Sequence, residues 1–291
     1  MTSADELRVV RRVYARQITH AAGTNDARIE NALATLRRED FLPPGPWQLQ
    51  HLPDHYRETP DADPIYLYQD VPVAIRPDRR LNNGQPSFLT MLLSLGRLQD
   101  GEHAVHIGTG LGYYTAVLSC LAGPAGRVTG IEFDVDLALR AATNLASFAN
   151  IRVIQADGAT VRLDLADVIY VNAGASRPAD TWLDALKPGG RLVLPLTVSM
   201  TIGEGHAMTR GAVFLIERDS GSDTDGFAAR AVSNTMIYPC VGMRDEASEQ
   251  ALYAALDKGG ASKVKRLRRD DDGASDDICW LRAPGWSLTY E

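Results

Sequence analysis

The sequence predicts an α/β fold: a doubly wound, mostly parallel sheet, with a helical N-terminal segment before it and a small C-terminal extension after it. Three observations carry that expectation. From residue 87 onward, short apolar runs alternate with amphipathic stretches across brief connections, a pattern that requires right-handed crossovers and helices on both faces of a sheet. The run VHIGTGLGYYT, residues 105–115, places three glycines directly behind an apolar strand. Acids close the next two strands, Glu132 in GRVTGIE and Asp157 in VIQADGA, at the ends where open α/β sheets bind ligands.

Taken in order, residues 5–38 set Leu7, Val10, Tyr14 and Ile18 on one helical face. They break at Ala22-Gly23-Thr24 and resume as a second helix over about 26–38. Then the texture changes. Pro43, Pro44, Pro46, Pro53, Pro60, Pro64, Pro72 and Pro77 recur among Trp47, Tyr56, Tyr66 and Tyr68. Proline fixes φ and removes a donor, so this stretch forms neither a long helix nor a central strand. Its aromatics predict an ordered cover, and its length a binding loop or lid. A helix follows over 87–95. Strands are expected at 104–107, 127–131, 151–155, 168–171 and 191–196, with helices at 113–121, 135–149 and 179–186. Two β-rich runs, 212–218 and 228–238, extend the sheet. Asp245 to Glu249 open a last helix with acids in its first turn, and Lys258-Gly259-Gly260 closes it. Residues 278–281 and 286–288 flank Ala283-Pro284-Gly285 as a terminal hairpin. The expected organisation is 1–80 for helices and cover, 81–240 for the ligand-binding domain and 241–291 for the extension.

With 291 residues, 45% of them hydrophobic and 23% charged, the chain has the balance of a soluble globular protein. It is long enough for a proper core. A formal charge of -7 provides no global field for nucleic acid or an anionic membrane. The basic run KVKRLRR, Lys263 to Arg269, is followed at once by Asp270, Asp271 and Asp272 and reads as a solvated loop or helix end. Cys120, Cys240 and Cys279 lie far apart, which argues for reduced thiols in a cytoplasm and against a disulfide framework or zinc site. The N-terminus scatters charge through every turn, and no uncharged apolar stretch reaches ~18 residues. A soluble cytoplasmic protein without nucleic-acid or membrane partners is expected. His51 and His55 form the only close histidine pair, with Asp54 between them. Pro53 opposes the helix that would put both rings on one face, so no metal is expected.

The glycines Gly108, Gly110 and Gly112 occupy the first strand-to-helix turn, where backbone must approach a ligand closely. The dinucleotide fingerprint is G-x-G-x-x-G, but Tyr113 stands where its third glycine would fall. The spacing suits a nucleoside without a diphosphate. Glu132 is placed to accept two ribose hydroxyls, and Asp157 to meet an adenine amino group.

IGTGLGYYTAVLSCLAG, GRVTGIE, ADGA and LKPGGRLVLPL together resemble the class I S-adenosylmethionine-dependent methyltransferases. Among them, the likeness is to the protein-L-isoaspartate (D-aspartate) O-methyltransferase family. It begins at ALATLRREDFLPP, takes in GQP (Gly84 to Pro86), and runs to MIYP (Met236 to Pro239). The resemblance implies a Rossmann-like methyltransferase sheet and S-adenosyl-L-methionine as cofactor. Gly108, Thr109, Gly110 and Gly112 then lie against the cofactor's amino-acid end, Glu132 on its ribose, and Asp157 with Gly158 near its adenine. It also implies methylation of a carboxylate on a peptide or protein, in protein repair or modification.

The chain departs from the family pattern at four places. The family's loop reads roughly T-I-S-Q-P, and its serine hydroxyl positions the substrate carboxylate. Here the matching residues are Asn82, Asn83, Gly84, Gln85 and Pro86. Asn83 and Ser87 are the candidates for that positioning role, with Ser87 also suited to cap the following helix. His106 replaces an acid that helps hold the cofactor's ammonium; a neutral ring accepts one hydrogen bond there, whereas a protonated ring repels the cation. The insert at 43–68 and the tail beyond Arg244 have no counterpart. No nucleophile elbow appears. A carboxylate acceptor, with a pKa of ~4, needs only donors to orient it, whereas a phenol or amine needs a base or metal. The pattern leaves open a related methyltransferase with another acceptor and a non-catalytic S-adenosylmethionine-binding protein. A nicotinamide oxidoreductase also stays open, though Tyr113 disfavours it.

Overall fold

The computed structural model describes every residue except 53–54, 80, 203–205, 222–225, 270–274 and 276. Along the chain come α1 (Ala4–Ala21), α2 (Ala27–Thr35), β1 (Gln48–Leu52), β2 (His55–Glu58), β3 (Ala74–Arg76), β4 (Leu81–Asn82) and α3 (Pro86–Leu95). Next are β5 (His103–Ile107), α4 (Tyr113–Ala122), β6 (Arg127–Glu132), α5 (Val135–Asn144), β7 (Ile151–Gln155), β8 (Ala166–Val171) and α6 (Asp180–Ala185). The chain continues through β9 (Leu186–Ile202), β10 (His206–Arg218), β11 (Phe227–Ile237), α7 (Glu246–Lys258), β12 (Arg266–Arg269), β13 (Cys279–Ala283) and β14 (Trp286–Thr289). The chain forms two compact units. One holds Met1–Glu102 with Thr109–Gln155, the other His103–Gly108 with Ala156–Glu291.

In the first unit, Ser3 and Glu6 make a reciprocal capping box that starts α1, and Asp26 caps α2, satisfying amides a helix start leaves bare. Of the predicted stripe, Leu7, Tyr14 and Ile18 are buried and Val10 is half-buried; Ile29 and Leu33 of α2 are buried as well. Arg38 is 1% exposed. Its Nη1 donates to the carbonyls of Leu67 (2.5 Å) and Gln69 (3.1 Å). Its guanidinium lies 5.5 Å from the Tyr14 ring centroid and 5.9 Å from that of Tyr113. One cation thus joins the entry helices, the proline-rich segment and the start of α4, because carbonyls and aromatic faces replace its water. The described residues of the proline-rich segment are ordered, as its aromatics predict. β1 and β2 pair antiparallel, Leu49 bridges to Val73, and β3 pairs with β4. Trp47, Leu49, Leu67 and Val73 form its own small core. β6 and β7 run parallel.

In the second unit the strands lie in the order β13, β14, β12, β11, β10, β9, β8, β5. β5, β8 and β9 are parallel, and every pairing from β9 outward to β13 is antiparallel. The α/β class therefore holds, with a mixed sheet. Too few residues separate β9 from β10 for a crossover helix, so the two must pair antiparallel. β9 is longer than the expected 191–196 because it pairs with β10 over most of its length. Its register against β8 shifts around Pro188 to Gly190, which absorbs residues a regular strand would exclude.

The basic run corrects the sequence reading. Residues 266–269 are neither loop nor helix end but the strand β12, paired with β11 and β14. Leu267 is buried and draws the run into the sheet. Arg266 pairs with Asp219 at 2.6 Å, and Arg269 with Asp184 at 2.6 Å, so the charges are neutralised from distant sequence. Asp270, Asp271 and Asp272 lie outside the described residues. The last helix and the terminal hairpin form as expected. Trp280, Trp286 and Leu288 are buried, and the Trp286 indole N–H donates to Ser248 Oγ at 3.2 Å. The C-terminal residues are therefore core. Trp286→Ala is expected to cost about 3–5 kcal/mol, read as a lower midpoint in urea unfolding.

Candidate functional site

The first unit carries the turn after β5 and the acid that closes β6. Glu132 is 8% exposed. One of its oxygens accepts from the backbone N–H of Gly110 at 2.7 Å, the other from that of Asp134 at 3.1 Å. Burial pushes its carboxyl above the usual range, against those N–H groups, which favour the charged form. The Thr109 amide donates to the Ile131 carbonyl at 3.2 Å, fastening the turn to β6. Gly112 sits at φ 98, and a Cβ there would stand 2.8 Å from Leu145 Cδ1. Only glycine makes this turn at no cost. The structure thus brings Thr109, Gly110 and Glu132 together in one hydrogen-bonded corner.

Two features beside that corner escaped the sequence reading. Phe133, directly after Glu132, is 51% exposed, and an aromatic at a strand end was the signal available for it. Ile75 approaches the turn from β3: a Cβ on Gly110 would lie 3.6 Å from Ile75 Cδ1. Arg76 pairs with Asp78 at 3.0 Å, and Arg79 with Asp134. The Arg79–Asp134 pair, with Arg76 3.6 Å from Asp136, holds the segment beyond β3 against the start of α5.

The loop between β4 and α3 lies wholly in the first unit. Gly84 has φ 77, and a Cβ there would stand 2.5 Å from Leu89 Cδ1. Asn82 Oδ1 accepts from the Gly84 amide at 2.9 Å, closing an Asx turn. Asn83 exchanges two bonds with Val73. Its amide donates to the Val73 carbonyl at 2.9 Å, and its Oδ1 accepts from the Val73 amide at 2.8 Å. Ser87 does not cap α3; that is a correction. Pro86 fills the first helical position, where its missing donor costs nothing, so Gln85 is the cap residue and Ser87 already lies inside. Ser87 Oγ instead donates to Asp70 Oδ2 at 2.6 Å. Asp70 left no signal in the sequence, being one acid in a proline-rich stretch.

In the second unit, Gly108 ends β5 against the Asn172 carbonyl, 3.2 Å from where a Cβ would stand. Asp157 Oδ1 accepts from the Ala159 amide at 2.9 Å. The Trp182 indole N–H donates to the Gly158 carbonyl at 2.7 Å, which fixes the turn after β7 from a fully buried ring. Gly242, within the C-terminal segment, packs so tightly on Asp157 that a Cβ would overlap its carboxylate. That contact was invisible in sequence.

His106 is wholly buried in β5, its ring 5.1 Å from that of Tyr170. Burial disfavours the charged ring and pulls its pKa down to about 3. At neutral pH it is uncharged, so it presents no cation to repel an ammonium. His51 and His55 are both exposed, on opposite strands of a hairpin; Asp54 lies outside the described residues. Among the described residues no His, Cys, Asp and Glu cluster could hold a metal ion, and no helix is long and apolar enough to cross a membrane.

Two outcomes follow. Gly112→Ala must shift Leu145 and strain the turn, and should lower the melting temperature by several degrees, on the order of 1–2 kcal/mol. The unfolded chain protonates His106 near its ordinary ~6.5, while the folded chain stays neutral down to about 3. Stability from this residue is thus complete above ~6.5 and is lost as pH falls toward about 3. His106→Phe should flatten the decline in melting temperature between pH 7 and 5.

Residues 15–203 match the family model for protein-L-isoaspartate(D-aspartate) O-methyltransferase. Protein-L-isoaspartate O-methyltransferase 1 of Archaeoglobus fulgidus is 29% identical over 215 residues, covering 72% of this chain and 86% of its own. The Rhodopseudomonas palustris protein-L-isoaspartate O-methyltransferase is 32% identical over 199 residues, 67% of this chain and 81% of its own. A solved protein-L-isoaspartate O-methyltransferase shares the fold with a TM-score of 0.61 at 20% identity, over 90% of this chain and 74% of that one. A Plasmodium falciparum chain assigned as a beta-aspartate methyltransferase, solved with S-adenosyl-L-homocysteine, superposes with a TM-score of 0.56 at 18% identity, over 79% and 97%. The chain belongs to the protein-L-isoaspartate(D-aspartate) O-methyltransferase family, and its fold, cofactor and enzyme class are those of an S-adenosylmethionine-dependent methyltransferase.

Proposed function

We propose that the chain methylates a carboxylate of an isoaspartyl protein or peptide, with Asn83 taking the orienting role that a serine hydroxyl has in the family pattern. Bound S-adenosylmethionine would supply a methyl group on a sulfonium, whose S–CH3 bond breaks to leave the neutral thioether as the O–CH3 bond forms. The protein's part is to align the acceptor and keep water out.

The residues fit that cofactor. Each Glu132 oxygen takes one backbone N–H and has a further lone pair, which suits the two ribose hydroxyls. Gly110, Gly112 and Thr109 offer close backbone for the amino-acid end, and Phe133 offers an exposed ring beside Glu132. In the second unit, Gly108 extends the same turn. Asp157 keeps capacity for an adenine amino donor, with Gly158 beside it.

The acceptor reading rests on one observation. The Val73 amide holds Asn83 Oδ1 at 2.8 Å, which leaves the Nδ2 hydrogens, bonded by no described residue, as donors for a carboxylate. Ser87 is poorly placed for that task, since its single proton goes to Asp70. A carboxylate acceptor is already ionised at neutral pH and needs no base. The net charge of -7 supports a protein or peptide substrate over nucleic acid or an anionic membrane. The free cysteines support a reducing compartment, the cytoplasm.

Labelled S-adenosylmethionine should give base-labile methyl incorporation into an isoaspartyl peptide and little into its aspartyl twin. Asn83→Ala should lower kcat/KM about 10- to 100-fold, the worth of a hydrogen bond to a charged group, with S-adenosylhomocysteine affinity unchanged. Gly84→Ser should also lower activity, because φ 77 and Leu89 oppose a side chain there. Binding of S-adenosylhomocysteine without transfer to either peptide would show that the acceptor is something else.

A further inference from the structure

The geometry points to Asp70 as a positioning residue for the acceptor loop, acting through Ser87 and Gln85 and not on the substrate itself; this rests on the acceptor reading above. α3 begins at Pro86, and its cap residue Gln85 makes no side-chain capping bond. A helix start still has amides to satisfy. Asp70 does so from a separate segment. Its Oδ1 accepts from the Ser87 amide at 2.8 Å. Its Oδ2 accepts from Ser87 Oγ at 2.6 Å and Gln85 Nε2 at 3.1 Å. A carboxylate at a helix N-terminus also complements the helix dipole, and bonds to an ionised acceptor are about twice as strong as neutral ones.

The other anchors of the loop come from the same proline- and aromatic-rich stretch. Asn82 Nδ2 donates to Gln50 Oε1 at 2.9 Å and to Tyr56 Oη at 2.8 Å, and Asn83 is tied to Val73. Gln50, Tyr56 and Val73 are thus the template on which the loop is laid, and Asp70 anchors its helical end. Asp70 takes the Ser87 proton, fixes where α3 starts, and so fixes where Asn83 stands before an acceptor. Loss of Asp70 should disturb acceptor recognition and spare the cofactor.

The test uses the full-length chain with Asp70→Ala, Asp70→Asn and Ser87→Ala. It measures S-adenosylhomocysteine affinity, methyl transfer to an isoaspartyl peptide, and hydrogen exchange of amides 82–89. Asp70→Ala should raise the peptide KM about tenfold, with S-adenosylhomocysteine affinity within about twofold of the parent, and speed exchange at 82–89. Asp70→Asn keeps one carbonyl acceptor and should fall between. Ser87→Ala loses only the hydroxyl bond and should change least. Unchanged exchange at 82–89 in both Asp70 variants would overturn the proposal, whatever the peptide result. So would faster exchange with an unchanged KM, or KM and cofactor affinity worsening in step. A parent chain that fails to methylate the peptide sinks the acceptor reading alone; the exchange measurement then still decides whether Asp70 holds the loop.

Discussion

The left-handed backbone at Gly84 governs the shape of the loop that leads into α3. At φ 77 the chain turns sharply enough for Asn82 to reach back to the Gly84 amide. The same turn sends Asn83 toward Val73 and carries Ser87 to Asp70. A residue with a Cβ would meet Leu89 and lose about 1–2 kcal/mol to the backbone alone. The missing serine is therefore not a simple deletion of a hydroxyl. Here the loop is held by a left-handed glycine, and the neighbouring Asn83 side chain is tied to the Val73 amide.

The other departures from the family pattern have physical accounts of their own. His106 stays neutral at neutral pH because it is buried against Tyr170, so a histidine at the end of β5 carries no cation. The proline-rich insert is a bracing layer with its own apolar core of Trp47, Leu49, Leu67 and Val73. The tail contributes β12, β13 and β14 to the sheet of the second unit, and its segment at Gly242 lies against Asp157. The corner at Glu132 keeps the ordinary chemistry of a buried acid on a glycine turn.

What could be read in advance followed from locality. The glycine turn, Glu132 at the end of β6 and the break between α1 and α2 are set by residues within a few positions, so periodicity and turn chemistry reveal them. The α7 helix and the terminal hairpin were legible for the same reason. What could not be read depended on partners far along the chain. The basic run becomes a strand because Leu267 is buried in the sheet while Asp219 and Asp184 neutralise Arg266 and Arg269, and no local pattern announces those partners. Ser87 reads as a cap until Pro86 is seen to occupy the first helical position and Asp70 to take the hydroxyl. Gly84 was legible only as the absence of a side chain; its φ and the neighbouring Leu89 turn that absence into a requirement.

The most direct measurement is a crystal structure of the chain with S-adenosylhomocysteine and an isoaspartyl peptide. The account predicts a left-handed Gly84, Ser87 Oγ still on Asp70, and Asn83 Nδ2 within hydrogen-bonding distance of the peptide carboxylate. A loop with Gly84 at negative φ and Ser87 released from Asp70 onto that carboxylate would contradict it.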